Sequence, residues 1–152
     1  MRIFILFSFF VLLISCTQNK ERNLKGEEID TEAYLRTKSI TTKETHQGVD
    51  FRIIVNPYDW DSNAHLILYL NNTIVYSSRF ERSGKLQISD LKPNQLVHFK
   101  MEIVKHNELF RFENKSVFNW DNNYKYIYIA FFPEKPTTEN IYFFPQQSEI
   151  IQ

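Results

Sequence analysis

The sequence predicts an all-β protein, an antiparallel two-sheet β-sandwich of about eight strands. From Val49 onward, apolar residues recur at every second position, as they do in half-buried strands. Short runs rich in β-branched and aromatic residues follow one another, and turn residues separate most of them. Alanine, the strongest helix former, occurs only three times. These features favour strands over helices throughout residues 49–152.

Each predicted strand is marked by its own apolar run. In residues 49–56 and again in residues 97–104, apolar side chains alternate between two faces, as the pleat of a strand requires. The predicted strands are residues 49–56, 64–70, 73–80, 85–89, 97–104, 109–114, 124–132 and 141–144.

Three tight turns are predicted between these strands. Asn71-Asn72 fits a two-residue hairpin, because asparagine tolerates the positive φ that a type I′ turn needs at both central positions. His106-Asn107 and Ser83-Gly84 are predicted to form the other two. The first turn fixes a register in which Leu70 opposes Thr73, Leu68 opposes Val75 and Ile67 opposes Tyr76.

The run from Ser89 to Met101 is similar to one corner of fibronectin type III and related immunoglobulin-like domains. A leucine, Leu91, is followed two residues later by Pro93 and then by alternating apolar positions. The corner tyrosine of that family is replaced here by Val97, so its hydrogen bond is absent. The resemblance implies an immunoglobulin-like sandwich, and a transthyretin-like sandwich is the alternative.

The first sixteen residues have the features of an export leader. After Arg2, an apolar run extends from Ile3 to Ile14 and is interrupted only by Ser8. A membrane-spanning helix takes about 20 apolar residues, so this run is too short to be an anchor. Its length is typical of a signal-peptide core.

The leader ends in Leu13-Ile14-Ser15-Cys16, which contains the only cysteine of the chain. This tetrapeptide resembles the lipobox of bacterial lipoproteins. The resemblance implies that residues 1–15 are removed and that Cys16 is acylated and holds the protein on a membrane. No aspartate follows Cys16, so the resemblance further implies the outer membrane, facing the periplasm. An ordinary secretory signal that happens to meet a cysteine is the alternative.

Residues 16–48 are predicted to form the lipidated N-terminus and a polar, flexible tether before a sandwich domain at residues 49–152. Alternating charges and few large apolar groups cannot offset the entropy lost on ordering. Within the tether, residues 27–36 carry a weak helical pattern, with Ile29 and Ala33 four positions apart. One or two helical turns are therefore the alternative to a solvated linker.

Composition and motifs argue against several functions. The 18 basic and 18 acidic residues cancel, so no basic face is expected for nucleic acid. One cysteine cannot build a disulfide or a cysteine metal site. The four histidines lack metal-ligand spacing, and no phosphate loop or nucleophile motif occurs. We therefore expect no metal, no cofactor and no enzymatic activity.

The hairpin around Asn71-Asn72 has an unusual second face. Leu66, Leu68, Leu70 and Val75 are predicted to face the core, yet the opposite face is also largely apolar. Its predicted members are His65, Ile67, Tyr69, Ile74 and Tyr76. Either the tether or the tail at residues 141–144 covers this face, or it binds a partner, because monomers rarely leave large apolar patches bare.

A second candidate surface is a row of tyrosines. Tyr124, Tyr126 and Tyr128 are predicted to share one face of a strand. Such rows stack on sugars or anchor protein partners. Tyrosines also pack across strands without any binding role, and this alternative stays open.

The sequence therefore favours a lipid-anchored lipoprotein of the cell envelope. Its sandwich is expected to be a non-enzymatic binding or assembly module for another envelope protein or for a glycan. The alternative is a small envelope enzyme, or an enzyme inhibitor of the immunity-protein type, whose site is built from residues far apart in the chain.

Overall fold

A computed structural model describes residues 25–40, 47–55, 60–89, 91–113, 117–131 and 141–150. These ranges contain strands at nearly every predicted position and one short helix, so the all-β class is confirmed. The elements are β1 (Glu27–Glu28), α1 (Thr31–Arg36), β2 (Gln47–Val55), β3 (His65–Leu70), β4 (Thr73–Arg79), β5 (Ser83–Ile88), β6 (Leu96–Val97), β7 (Phe99–Lys105), β8 (Glu108–Glu113), β9 (Phe118–Asn119), β10 (Tyr126–Phe131) and β11 (Ile141–Gln146).

The strands form two main sheets and a small ribbon. The five-stranded sheet has the order β1-β8-β7-β3-β4, the four-stranded sheet has the order β11-β10-β2-β5, and β6 pairs with β9 in the ribbon. Every pairing is antiparallel except that of β2 with β10, which is parallel. Because these two strands are far apart in sequence and no hairpin joins them, nothing local in the sequence signals their direction.

The core lies between the two main sheets. Alternate residues of the strands point inward, as the period-two pattern predicted. Among the fully buried side chains are Phe51 and Leu86 from the four-stranded sheet and Leu66, Phe99 and Met101 from the five-stranded sheet. Trp120, which follows β9, is buried in the same cluster.

Two of the three predicted turns have the expected geometry. Asn71 and Asn72 have φ values of 47° and 67°, and His106 and Asn107 have φ values of 51° and 63°. The third prediction was wrong, because Ser83-Gly84 begins β5 and is not a turn. A Cβ on Gly84 would lie 2.7 Å from the Phe51 ring, so glycine here allows that ring to pack against the strand.

The predicted register of the first hairpin is correct only next to its turn. Leu70 opposes Thr73 and Tyr69 opposes Ile74, but a bulge between Leu68 and Tyr69 shifts the pairing beyond them. Leu68 therefore opposes Tyr76. The extra residue moves Tyr76 to the inner side of the sheet.

The ribbon and the Asn71-Asn72 turn lie together at one end of the sandwich. The N–H of Asn71 donates to the carbonyl of His98 at 3.0 Å, and the N–H of His98 donates to Asn71 Oδ1 at 2.9 Å. We call this the ribbon end. The opposite end carries the His106-Asn107 turn, which joins β7 to β8.

The predicted leader and Cys16 lie outside the described residues. Within the ranges that are described, no helix has the length and apolar character needed to cross a bilayer.

Candidate functional site

The outer face of the five-stranded sheet is covered by residues 25–40, a part of the predicted tether. Ile67, Val104 and Leu109 are buried there, and three residues of the covering segment pack on them: Ile29, Tyr34 and Leu35. Tyr69 and Ile74 are half-buried in the same cluster. We call residues 25–40 the cover segment.

The sequence of the cover segment explains how it follows the sheet. β1 pairs with the edge of β8, and Gly26 passes so close to β8 that a Cβ would lie 2.8 Å from the Cβ of Glu108. The N–H of Ile29 then donates to the carbonyl of Asn107 at 2.8 Å. Asp30 caps α1 by accepting a hydrogen bond from the N–H of Ala33, which satisfies one free donor of its first turn.

A single carboxylate, that of Glu102 on β7, joins the cover segment to the sheet. The phenol of Tyr34 donates to Glu102 Oε2 at 2.6 Å, and the phenol of Tyr69 donates to the same oxygen at 2.5 Å. Arg111 Nε lies 3.4 Å from Glu102 Oε1. The Glu102 side chain is only 13% exposed. Its carboxylate is therefore stabilised by these protein donors more than by water.

Lys38 closes this cluster from the cover segment. Its Nζ lies 4.0 Å from Glu102 Oε2 and sits over the rings of Tyr34 and Tyr69, 4.6 and 5.5 Å from their centroids. The ammonium thus interacts with the carboxylate and with two aromatic faces.

The two phenols are strongly perturbed by this environment. Burial, followed by the hydrogen bond to Glu102, raises the pKa of Tyr34 from 10.0 to about 12. Burial and the same carboxylate raise the pKa of Tyr69 still further above its ordinary value. Both phenols therefore remain protonated donors at neutral pH. The cluster holds the cover segment on the sheet, and we call it the latch; its members are Tyr34, Lys38, Tyr69, Glu102 and Arg111.

The five residues predicted for a partner surface are distributed differently from the prediction. Ile67, Tyr69 and Ile74 lie under or beside the cover segment, and His65 is half-buried with Nε2 3.0 Å from Ser77 Oγ. Burial lowers the pKa of His65. Tyr76 packs on the inner side against Phe51, with ring centroids 4.7 Å apart, because of the bulge. Because Ile67 is buried under the cover segment and Tyr76 lies on the inner side, the five residues do not share one exposed face.

The outer face of the four-stranded sheet is different, because aromatic side chains are exposed on it. We call it the aromatic face, and its members are Arg52, Ile54, Tyr126, Tyr128, Tyr142 and Phe144. Tyr142 and Phe144 are 43% and 39% exposed. Their rings are stacked, with centroids 6.1 Å apart and planes at 15°.

The other residues of the aromatic face lie beside this exposed pair. Phe144 lies opposite Tyr128, which in turn lies beside Arg52 on β2. The ring of Tyr126 is 6.0 Å from that of Tyr128, and the Arg52 guanidinium lies 5.4 Å from the Tyr126 centroid. Aromatic rings and a guanidinium thus lie side by side on this face of the sheet.

The predicted tyrosine row is only partly correct. Tyr126 and Tyr128 share the outer face, but Tyr124 precedes β10 and packs against the main core, 5.7 Å from the Trp120 ring. Tyr128 is itself buried, and its phenol oxygen accepts a hydrogen bond from the N–H of Ile150 at 2.8 Å. Exposed aromatic area on this face therefore comes from β11.

A groove borders the aromatic face near the C-terminal residues. It has a volume of about 680 Å³ and is lined by Arg52, Ile54, Arg82, Tyr128, Glu149 and Ile150, among others. Arg52 forms an ion pair with Glu149 across it. Charged groups of both signs thus line a groove that is more polar than apolar.

Sequence reasoning missed Tyr142 and Phe144 as surface residues. Residues 141–144 were predicted to form a strand, and this is confirmed, because they belong to β11 with Ile141 and Phe143 in the core. The tail was also one of two possible covers for the hairpin, but the segment found on that face is residues 25–40. The available signal was the unbroken aromatic run itself, because a strand with apolar residues on both faces exposes one of them unless something covers it.

The described part of the chain contains no group of three or more histidine, cysteine, aspartate or glutamate side chains arranged to hold a metal ion. Comparison of the chain with protein-family models, with curated proteins and with solved structures finds no match. An aromatic surface with adjacent charges binds by burying apolar area and by orienting polar groups of a partner.

Proposed function

We propose that this protein is a lipid-anchored lipoprotein of the cell envelope whose sandwich is a non-enzymatic binding or assembly module. Its partner, an envelope protein or a glycan, binds on the aromatic face. One observation carries the proposal for this face: Tyr142 and Phe144 are stacked and exposed on a folded strand. Rigid aromatic rings supply contact area at little entropic cost, which is why they recur as binding anchors.

The proposed anchor is supported by the sequence Leu13-Ile14-Ser15-Cys16. A chain acylated at Cys16 should incorporate a palmitate analogue and partition into detergent. The Cys16→Ala variant should lose both properties. Continued labelling of this variant would exclude the lipid anchor while leaving the proposal for the aromatic face untouched.

Binding at the aromatic face can be tested with a photo-crosslinking residue. Benzoyl-phenylalanine in place of Tyr142 should give a discrete adduct in intact cells. Protease and glycosidase sensitivity of the adduct then distinguishes a protein partner from a glycan. The Phe144→Ser substitution should sharply reduce the adduct, because Phe144 stacks on the probe position.

The matched control places the same photo-reactive residue at Arg79, an exposed position on β4 of the other sheet. Position 79 should give no discrete adduct. Equal adducts at both positions, or none at position 142 in a folded protein, would refute binding at the aromatic face.

A further inference from the structure

The direction of β1 shows where the N-terminal part of the chain meets the domain. Glu27 pairs with Leu109 and Glu28 with Glu108, so the chain runs along β8 away from Glu113. Glu113 lies opposite Lys100, which contacts Asn72 at the ribbon end. The described chain therefore enters β1 from the side of the ribbon end.

The length of the preceding chain limits how far Lys25, which begins the cover segment, can lie from an anchor at Cys16. Nine peptide bonds join Cys16 to Lys25. Even a fully extended chain rises only about 3.3–3.6 Å per residue, which gives a maximum of about 30 Å. Because the cover segment is folded onto the sheet, it adds no reach beyond this span.

The ribbon end also carries the two most exposed large apolar side chains of the described residues. Leu96 is 61% exposed and Val117 is 56% exposed. In the ribbon, Val97 is buried and its partner Phe118 packs against the core. Since neighbouring residues of a strand alternate between faces, Leu96 and Val117 point away from the core.

We propose that the ribbon end lies on the bilayer surface and that Leu96 and Val117 enter its interfacial region. The proposal rests on the lipid anchor proposed above. The occupant is a lipid surface, because the chain enters β1 from the side of this end and the proposed anchor lies only nine residues before Lys25. The charges at the ribbon end do not by themselves favour a lipid surface, since the basic residues Lys92 and Lys100 are accompanied there by the acidic residues Glu113 and Asp121.

This orientation has a consequence for the aromatic face. The strands run from the ribbon end to the opposite end, and seven residues of β7 span about 20 Å at about 3.3 Å per residue. With the ribbon end on the membrane, the sheets stand upright. The aromatic face then points sideways and is open to a partner in the same compartment.

Depth-dependent quenching of an attached fluorophore tests the orientation in the acylated full chain. Cys16 is the only cysteine, and acylation removes its thiol, so a cysteine introduced elsewhere is labelled alone. The test variants are Leu96→Cys and Val117→Cys, and Ser62→Cys is the matched control. Ser62 is exposed at the far end, next to Asp61, whose carboxylate is 3.6 Å from Lys105 Nζ.

The labelled proteins are reconstituted into vesicles of phosphatidylethanolamine and phosphatidylglycerol that contain a lipid with brominated acyl chains. Labels at positions 96 and 117 should be quenched several-fold more than the label at position 62. Co-flotation with the vesicles is measured in the same samples. A protein that does not float, or that is labelled at Cys16, lacks the anchor, and the proposed function fails with it.

A protein that floats but shows equal quenching at all three positions, or none, overturns the orientation and leaves the anchor intact. A fourth variant, Phe144→Cys, tests the main competing orientation, in which the aromatic face lies on the bilayer. Strong quenching there, without quenching at positions 96 and 117, would place the aromatic face on the bilayer and overturn both this inference and the proposed open face.

Discussion

The two main sheets both carry apolar side chains on their outer faces, but among the described residues one face is covered by another segment of the chain and the other carries exposed rings. On the five-stranded sheet, Ile67 is completely buried beneath the cover segment. On the four-stranded sheet, Tyr142 and Phe144 remain exposed. An apolar outer face is therefore not by itself evidence of a binding site, because another segment of the same chain can cover it.

The cover segment holds its position through a few specific contacts. α1 has six residues, and so short a helix is marginal in isolation. Its order comes from packing of Tyr34 and Leu35 and from the hydrogen bond of Tyr34 to Glu102. Tyr142 and Phe144, by contrast, are 43% and 39% exposed.

Deletion of the cover segment should have the largest effect on stability. Full burial of one large apolar side chain contributes about 1.5–3 kcal/mol, so loss of the partly buried Ile29, Tyr34 and Leu35 should cost about 3 kcal/mol or more. Urea unfolding of the chain without residues 25–40 measures this loss. Deletion of residues 17–24 is the control and should cost less, because it leaves the packing of Ile29, Tyr34 and Leu35 intact. Equal midpoints for both deletions would show that the segment is only a linker.

Removal of the Glu102 carboxylate should have the next largest effect. The Glu102→Ala variant leaves two phenols without their acceptor, and hydrogen bonds to charged groups contribute about 1.5–3 kcal/mol each before relaxation. We expect a loss of about 2–3 kcal/mol. Glu113→Ala, which breaks a partly exposed ion pair with Lys100, should cost less than about 1 kcal/mol. Similar losses in the two variants would refute the latch.

Alkaline pH should loosen the latch by a smaller amount. The pKa of Tyr34 is about 12 in the folded protein and 10.0 when unperturbed. Its contribution to stability is therefore complete below pH 10 and is lost as the pH rises through about 12. Between about pH 9 and about pH 11, the unfolding free energy should fall more in the wild type than in Tyr34→Phe. An identical decrease in both proteins would contradict the assignment.

The core and two of the three turns were predictable because their signals are local. The alternation of Val49, Phe51 and Ile53 marks a strand with one buried face wherever its partners lie. Asn71-Asn72 specifies its own turn through the φ values that asparagine tolerates. Both signals depend only on residues that are neighbours in the sequence.

The cover and the aromatic face depend on distant residues. Tyr34 and Glu102 are 68 positions apart, and neither carries a local sign of the other. The bulge that moves Tyr76 inward is likewise invisible to a pattern that assumes an unbroken register. Sequence could therefore indicate that the hairpin face needed a cover, but not which segment supplies it.

The most direct test of the central comparison is to truncate one tyrosine on each outer face and to measure both free energies of unfolding in urea. Tyr69→Ser removes a half-buried ring and its hydrogen bond to Glu102, and we expect a loss of about 3 kcal/mol. Tyr142→Ser removes an exposed ring and should cost less than about 1 kcal/mol. If Tyr142→Ser destabilises the protein as much as Tyr69→Ser does, both faces are covered, and the account of an open aromatic face is wrong.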